Sequence, residues 1–177
     1  HKGQFQLSQT GAERTGEVAA TLALTQGLIS SIISHSTFSE NSLHSPSTSP
    51  SVLSISQPRT ITHMTHILSN TLSQNSSTIT PGQKTYLLHL QDIHNHKIFH
   101  NTITNNPTQP TNSNIFHQIV TITLKSTPSQ PLSTTSHIGF NKFLNNHSQS
   151  HTLLMSHSSA KPDSAFHVVD GNLFVGN

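Results

Sequence analysis

The 177-residue sequence contains no cysteine and no tryptophan. The absence of cysteine excludes disulfide bonds and thiolate chemistry, so a zinc site would have to be built from His together with Asp or Glu. The chain also lacks an apolar run of about 18 residues, which is the length that a helix needs to cross a bilayer. We therefore expect no membrane span in this segment.

Charge is scarce as well. Only 8% of the residues are charged, against roughly 25% in ordinary soluble domains. The eight basic residues are scattered along the chain: Lys2, Arg14, Arg59, Lys84, Lys97, Lys125, Lys142 and Lys161. The pI of about 9.2 therefore marks no basic stripe, and nucleic acid is not an expected partner.

The six acidic residues are equally dispersed: Glu13, Glu17, Glu40, Asp92, Asp163 and Asp170. Glycosidases and polysaccharide lyases need clustered carboxylates, usually with a Lys or Arg close by. The sequence contains neither such a cluster nor a nucleophile or phosphate-binding motif. We therefore predict no catalytic residues and no enzymatic activity for this chain.

Histidine is abundant, with 15 residues. His63 and His66 form one tight group, and His94, His96 and His100 form another. Three imidazoles near one bend could bind zinc or copper. The alternative is that these residues are neutral polar groups that face water or a turn. We favour that alternative, because no ordered acid spacing accompanies them, and we predict no metal site and no cofactor.

A nine-residue pattern, Φ-x-x-[NS]-x-Φ-x-x-N, occurs five times in the chain, where Φ is apolar. The copies span residues 33–41, 67–75, 98–106, 138–146 and 169–177. The second apolar position is occupied by Phe38, Leu72, Ile103, Phe143 and Phe174, and its spacings are 34, 31, 40 and 31 residues. Nine of the ten Asn/Ser slots hold Asn, although the chain has only 14 Asn. A weaker sixth copy surrounds Phe5.

Each copy is followed by a second apolar run, and stretches rich in Pro, Ser, Asn or Gly separate the runs, as in 45–51, 107–113 and 126–136. This arrangement predicts short strands joined by turns, with no helix. Such units bury an apolar face only by stacking. Equivalent residues would then lie about 4.8 Å apart.

Stacking turns the repeated positions into rows along the molecule. The first polar row comprises Ser36, Asn70, Asn101, Asn141 and Asn172. The second comprises Asn41, Asn75, Asn106, Asn146 and Asn177. We expect stacked amides to bond one another in ladders, and we expect each Asn to take the left-handed backbone conformation of its bend. The core row would be Phe38, Leu72, Ile103, Phe143 and Phe174.

Segments such as 98–106 resemble the repeats of right-handed parallel β-helix proteins, the pectate-lyase-like architecture. The resemblance implies an all-β solenoid of about five and a half coils of 31–40 residues, with 1–177 forming a single segment of a longer solenoid. The segments 38–41, 143–146 and 174–177 also resemble the FxxN motif of chlamydial surface adhesins. The long, irregular coils are similar to those of Bark beetle-like cell-junction proteins.

These observations favour a non-catalytic structural or adhesive surface module at an extracellular or cell-surface location. Its long turns would face a protein or carbohydrate ligand, and its ends would stack on flanking coils of the same chain. The alternative is part of a carbohydrate-active enzyme whose active site lies elsewhere, with Tyr86 and Phe116 as the aromatic residues available to stack on a sugar. A disordered, mucin-like linker is a third possibility that the composition allows.

Two N-glycosylation sequons begin at Asn75 and Asn146, and both Asn occupy the second polar row. An Asn that faces outward at a bend could carry a glycan, whereas one inside a ladder could not. Chance occurrence in a chain rich in Asn and Ser explains the sequons equally well. Both asparagines are therefore possible glycosylation sites.

Overall fold

The computed structural model describes residues 20–25, 30–44, 51–56, 64–78, 84–91, 95–107, 110–111, 115–125, 134–158 and 165–177. These residues contain seventeen β-strands and no helix. The all-β prediction is therefore confirmed for the described part of the chain. The weaker copy around Phe5 and most of the turn-rich stretches lie outside it. Since the described strands pair and pack, a disordered linker does not describe them.

The strands form three five-stranded sheets and one two-stranded sheet. Sheet A contains β1 (Ala20–Thr25), β5 (Ser51–Ser56), β9 (Tyr86–Gln91), β12 (Phe116–Lys125) and β15 (Ser148–Ser158). Sheet B contains β2 (Ser30–Ser34), β6 (Met64–Leu68), β10 (Asn95–Phe99), β13 (Thr134–Gly139) and β16 (Ala165–Asp170). Sheet C contains β3 (Thr37–Ser39), β7 (Thr71–Ser73), β11 (Thr102–Thr104), β14 (Lys142–Leu144) and β17 (Leu173–Val175). Sheet D pairs β4 (Ser42–His44) with β8 (Ser76–Thr78).

Every described pairing is parallel, and each joins strands that occupy the same place in successive repeats. In sheet B the register aligns Ile33, Ile67, Ile98, Ile138 and Val169. In sheet C it aligns Phe38, Leu72, Ile103, Phe143 and Phe174. The differing repeat lengths leave this register intact, because the extra residues fall between strands and not inside them.

Side-chain alternation explains which positions of sheets B and C face inward. In β6, Thr65 and Ile67 are buried, whereas Met64 is exposed and His66 and Leu68 are partly exposed. This period of two is that of a strand with one face on the core. The strands of sheet A bury more of their length, as in β5, where the first five residues are all buried.

The corners between sheets B and C, and those that follow sheet C, each contain one residue with positive φ. At the first set of corners these residues are His35, Ser69, His100, Phe140 and Gly171; at the second they are Glu40, Gln74, Asn105, Asn145 and Gly176. Each stands immediately before a ladder position. The expectation that the ladder Asn itself is left-handed is therefore wrong. The preceding residue makes the bend, which leaves the Asn side chain free to point inward.

Sheet D ends after two repeats. In the first two repeats the residue after the second-row Asn begins a strand, and Ser76 donates its N–H to the carbonyl of Asn41. In the third repeat this position is Pro107, which has no N–H to donate. The fourth repeat restores the bond, because the His147 N–H donates to the carbonyl of Asn106.

Candidate functional site

The first polar row is a continuous hydrogen-bonded file. Asn101 shows the pattern: its backbone N–H and its Nδ2 both donate to Oδ1 of Asn141, each at 2.9 Å. Its Nδ2 also donates to the carbonyl of Ile67 at 2.8 Å. Its own Oδ1 accepts from the backbone N–H and Nδ2 of Asn70. Every polar atom of the side chain is therefore bonded although the residue is only 1% exposed.

The same pattern extends along the rest of this row. Ser36 donates its N–H to Oδ1 of Asn70, and Asn141 donates its N–H and its Nδ2 to Oδ1 of Asn172. The carbonyls that accept the remaining Nδ2 hydrogens belong to the inward row of sheet B: Ile33, Ile67, Ile98 and Ile138. The file thus satisfies main-chain acceptors at a corner where the sheet ladder ends.

The second polar row repeats this arrangement at the next corner. Nδ2 of Asn41, Asn75, Asn106 and Asn146 donates to Oδ1 of the next Asn at 2.8–3.0 Å. The core-row carbonyls of Phe38, Leu72, Ile103 and Phe143 accept the second Nδ2 hydrogen from the following repeat. The two files therefore lock both corners of every described repeat to its neighbours.

Burial falls at the fifth repeat. Asn141 and Phe143 are fully buried, whereas Asn172 is partly exposed and Asn177 is exposed. Phe174 keeps its place in the core row, with its ring stacked on Phe143 at 4.6 Å, but it is 46% exposed. The expectation that Phe174 is buried is therefore wrong, because no described strand covers the outer edge of β17.

The ladder decides how accessible the two sequons are. The amide nitrogens of Asn75 and Asn146 each donate two hydrogen bonds within the file, and both residues are fully buried. An oligosaccharide attached to either nitrogen would displace these bonds and could not fit in the core. Asn75 and Asn146 were possible glycosylation sites, and a glycan on either residue does not agree with this folded structure.

Outward-facing aromatic and imidazole side chains cluster on sheet B and its corner. This aromatic patch consists of Phe99, His100, His137, Phe140 and Asp170. His100 stacks on Phe140 with ring centroids 5.4 Å apart, and His137 meets the ring of Phe99 edge-on at 4.4 Å. His137 Nε2 lies 2.9 Å from Oδ1 of Asp170, and that carboxylate is half exposed. The patch combines exposed rings, imidazoles and one acid.

Two glycines make room for the rings of the patch. A Cβ on Gly139 would lie 2.8 Å from the ring of Phe99 and 2.8 Å from Oδ1 of Asp170. A Cβ on Gly171, where φ is +60°, would lie 2.7 Å from the ring of Phe140. Each ring therefore covers the glycine of the following repeat.

Sequence reasoning missed this patch. The pattern assigned inward positions to Ile98 and Asn101. Between them, Phe99 was given no role and His100 was considered only as a possible metal ligand. The alternation around Ile98 could have revealed them, because a neighbour of an inward strand position must face outward. Gly139 and Gly171 give a second signal, since each follows an outward aromatic residue in the stacked register.

Of the two histidine groups, the structure describes His66, His96 and His100. His96 is inward on β10 and 1% exposed, whereas His100 lies exposed at the corner. His63 and His94 lie outside the described residues. Among the residues that the structure describes, no group of three His, Asp or Glu could hold a metal ion. The same part of the chain contains no helix long and apolar enough to cross a membrane.

The two aromatic residues considered as sugar-stacking groups are buried. Phe116 is fully buried, and Tyr86 is 8% exposed, with burial raising the pKa of its hydroxyl. The expectation that they could stack on a sugar is therefore wrong. Glu40 and Asp170 are the acids within the described residues, and they belong to the first and fifth repeats. Four strand spacings along the stack separate those repeats by about 19 Å.

No protein-family model, curated protein or solved structure matches the chain.

Proposed function

We propose that the chain is a segment of a right-handed parallel β-helix with about five and a half coils. The order of its strands supports this, since successive repeats visit sheets B, C and A in turn and pair in parallel. Parallel crossover connections are right-handed in about 98% of cases. The repeat spacings of 31, 34 and 40 residues in the hydrogen-bonded files correspond to one coil each.

On this scaffold we propose a non-catalytic structural or adhesive surface module, located outside the cell or on its surface. The observation that carries this proposal is the pair of unbroken polar files. They hold together a stack of strands in a chain that has few charges, and they leave the outer faces of the described sheets available to a protein or carbohydrate ligand. Hydrogen bonds at both corners of each coil hold the coils in place. Such an arrangement suits a spacer or an adhesive surface better than an active site that has to move.

A carbohydrate-active enzyme is the competing function, and turnover distinguishes the two. We expect the folded chain to produce no reducing or unsaturated ends from pectin, alginate or glycosaminoglycans. Glycosidase carboxylates lie within about 10 Å of each other, and Glu40 and Asp170 are too far apart for that chemistry. The measurement is product formation by the purified chain, with a commercial lyase as positive control. Product formation by the purified chain would show that it is an enzyme and would contradict the proposed structural function.

The fifth repeat offers a direct test of the solenoid. Its inward residues Val169 and Phe174 are half exposed, and Asn172 and Asn177 occupy the positions from which earlier Asn residues donate to the next repeat. An added coil of the same kind would cover this edge. A second copy of residues 147–177, fused directly after Asn177, would continue the 31-residue spacing between Asn146 and Asn177.

We expect this extension to raise the melting temperature by several degrees, because it buries the exposed apolar row and completes both files. The matched control is the same extension with the copies of Asn172 and Asn177 both replaced by Leu, and we expect it to raise the melting temperature less. Calorimetry measures both. An extension that leaves the melting temperature unchanged, or that works equally well without its Asn residues, would contradict the stacked-coil proposal.

A further inference from the structure

We propose that the stack extends stepwise under mechanical load. Tension between the two ends of the chain would detach one repeat at a time, beginning with the fifth, while the remaining repeats stay folded. The inference rests on the stacked-coil architecture proposed above, and it adds a mechanical property to the spacer or adhesive role. Three observations support it: the bonding of each repeat, the burial at the two ends of the stack, and the unequal repeat lengths.

The described bonds of the two polar files each join a repeat to the one before or after it. The fifth repeat is joined to the fourth by two bonds donated by Asn141, two donated by Asn146, and one each donated by Asn172 and Asn177. Strand pairing follows the same order, since β16 pairs with β13 and β17 pairs with β14. When units bond to their nearest neighbours, a unit at the end can detach without breaking the bonds among the others.

The direction of these bonds makes them weak against tension on the ends of the chain. Hydrogen bonds between parallel strands run from one strand to the next, and here that direction is along the stack, from repeat to repeat. A force that pulls at Asn177 loads the bonds of β17 first, then those of β16 and then those of β15. The bonds of a repeat therefore break a few at a time and do not share the load.

Burial differs between the two ends of the described stack. The inward residues Ile33 and Phe38 of the first repeat are buried, whereas Val169 and Phe174 of the fifth repeat are half exposed. Detaching the fifth repeat therefore returns less of its own apolar surface to water than detaching the first. Since local opening begins where the fewest apolar contacts are buried, we expect the fifth repeat to detach first.

The unequal repeat lengths give each step a characteristic size. Counted back from Asn177 through Asn146, Asn106 and Asn75 to Asn41, the second-row spacings are 31, 40, 31 and 34 residues. An extended chain spans about 3.5 Å per residue, so these steps would release about 110, 140, 110 and 120 Å. The longest step is second if detachment begins at the fifth repeat, and third if it begins at the first repeat.

Optical-tweezers unfolding of the whole chain, with DNA handles attached to its two ends, tests the proposal. We expect four successive extensions that correspond to 31, 40, 31 and 34 residues, in that order. A single extension that releases all four repeats together overturns the proposal. A record in which the longest extension is third overturns it as well, because detachment would then begin at the opposite end.

Two ladder variants test whether each step depends on its own bonds. The described bonds of Asn172 to another repeat all involve the fourth repeat, so Asn172→Leu should lower the force of the first step alone. Asn101 is bonded to the second and fourth repeats. Asn101→Leu should therefore lower the forces of the second and third steps and leave the first unchanged.

If either variant lowered all four forces equally, the stack would unfold as one unit and the proposal would be wrong. This outcome differs from a failure of the stacked-coil proposal, because the fused-repeat experiment tests the stack by its melting temperature and applies no load. In the pulling experiment the fused chain should show one additional extension of 31 residues before the other four, which matches the spacing of the added repeat.

Discussion

Replacing Asn101 with Leu should lower the free energy of unfolding by about 3–6 kcal/mol. The substitution keeps the side-chain volume close to its original value, but it removes the acceptor of the Asn70 N–H and Nδ2 and the donor to the carbonyl of Ile67. Each buried polar group left without a partner costs about 1–3 kcal/mol. The Asn70 N–H and the Ile67 carbonyl each lose their bond to Asn101, while Asn70 Nδ2 keeps its bond to the carbonyl of Ile33. Denaturant unfolding followed by circular dichroism measures the loss.

Asn172→Leu is the matched control in the same row. It removes the equivalent bonds to Asn141 and Ile138, but this end of the file is partly exposed and water can replace them. We expect a loss of about 1–2 kcal/mol, at the low end of the cost of an unpaired group. Equal and negligible losses for the two variants would mean that the files contribute no stability.

Replacing Phe143 with Ala should cost about 3–5 kcal/mol, the usual range for removing a buried phenylalanine. Phe143 is fully buried, aligned with Ile103 on one side and stacked on Phe174 on the other at 4.6 Å. Its removal leaves a cavity between two repeats that the hydrogen-bonded files hold at a fixed spacing, so the neighbours cannot close the gap. Thermal and denaturant unfolding should both show the loss.

Phe174→Ala removes the same side chain from the same row at the exposed edge. Because Phe174 is already 46% exposed, we expect this variant to lose about 1–2 kcal/mol, since less apolar surface returns to water. A Phe174→Ala loss as large as that of Phe143→Ala would show that burial does not set the contribution of the core row. A small loss at both positions would place the stabilising core elsewhere, in sheet A.

The spacing of Asn and apolar residues was enough to predict the all-β class and to specify rows along the molecule. The prediction succeeded because stacked repeats must match one another. A residue that forms hydrogen bonds to the same position of the next repeat has to recur in every repeat. Ser36, Asn70, Asn101, Asn141 and Asn172 satisfy it despite gaps of 31 to 40 residues. The extra residues fall outside the strands of sheets B and C, so they do not disturb the pattern there; in sheet A the register shifts by one residue between β12 and β15.

The backbone at the corners could not be deduced in the same way. Asn tolerates positive φ, and the sequence therefore pointed to the ladder residues as the bend. The structure places positive φ one residue earlier, on side chains as different as His35, Gln74 and Phe140. Six of the ten residues at that position are His, Asn or Gly, which adopt positive φ more readily than other residues. The other four are Ser, Phe, Glu and Gln, so no single residue type marks the position in the sequence.

The sequence alone determined the repeat, the polar files and the inward apolar rows, since these depend on spacing along the chain. Only the tertiary structure decided which residues of these rows are buried. Phe143 and Phe174 occupy the same motif position, but the fifth repeat covers Phe143 and no described strand covers Phe174. The structure also decided that Phe99, His100, His137, Phe140 and Asp170 meet on one face. These residues come from three repeats, and their proximity depends on parallel register and on the space left by Gly139 and Gly171, which no single repeat contains.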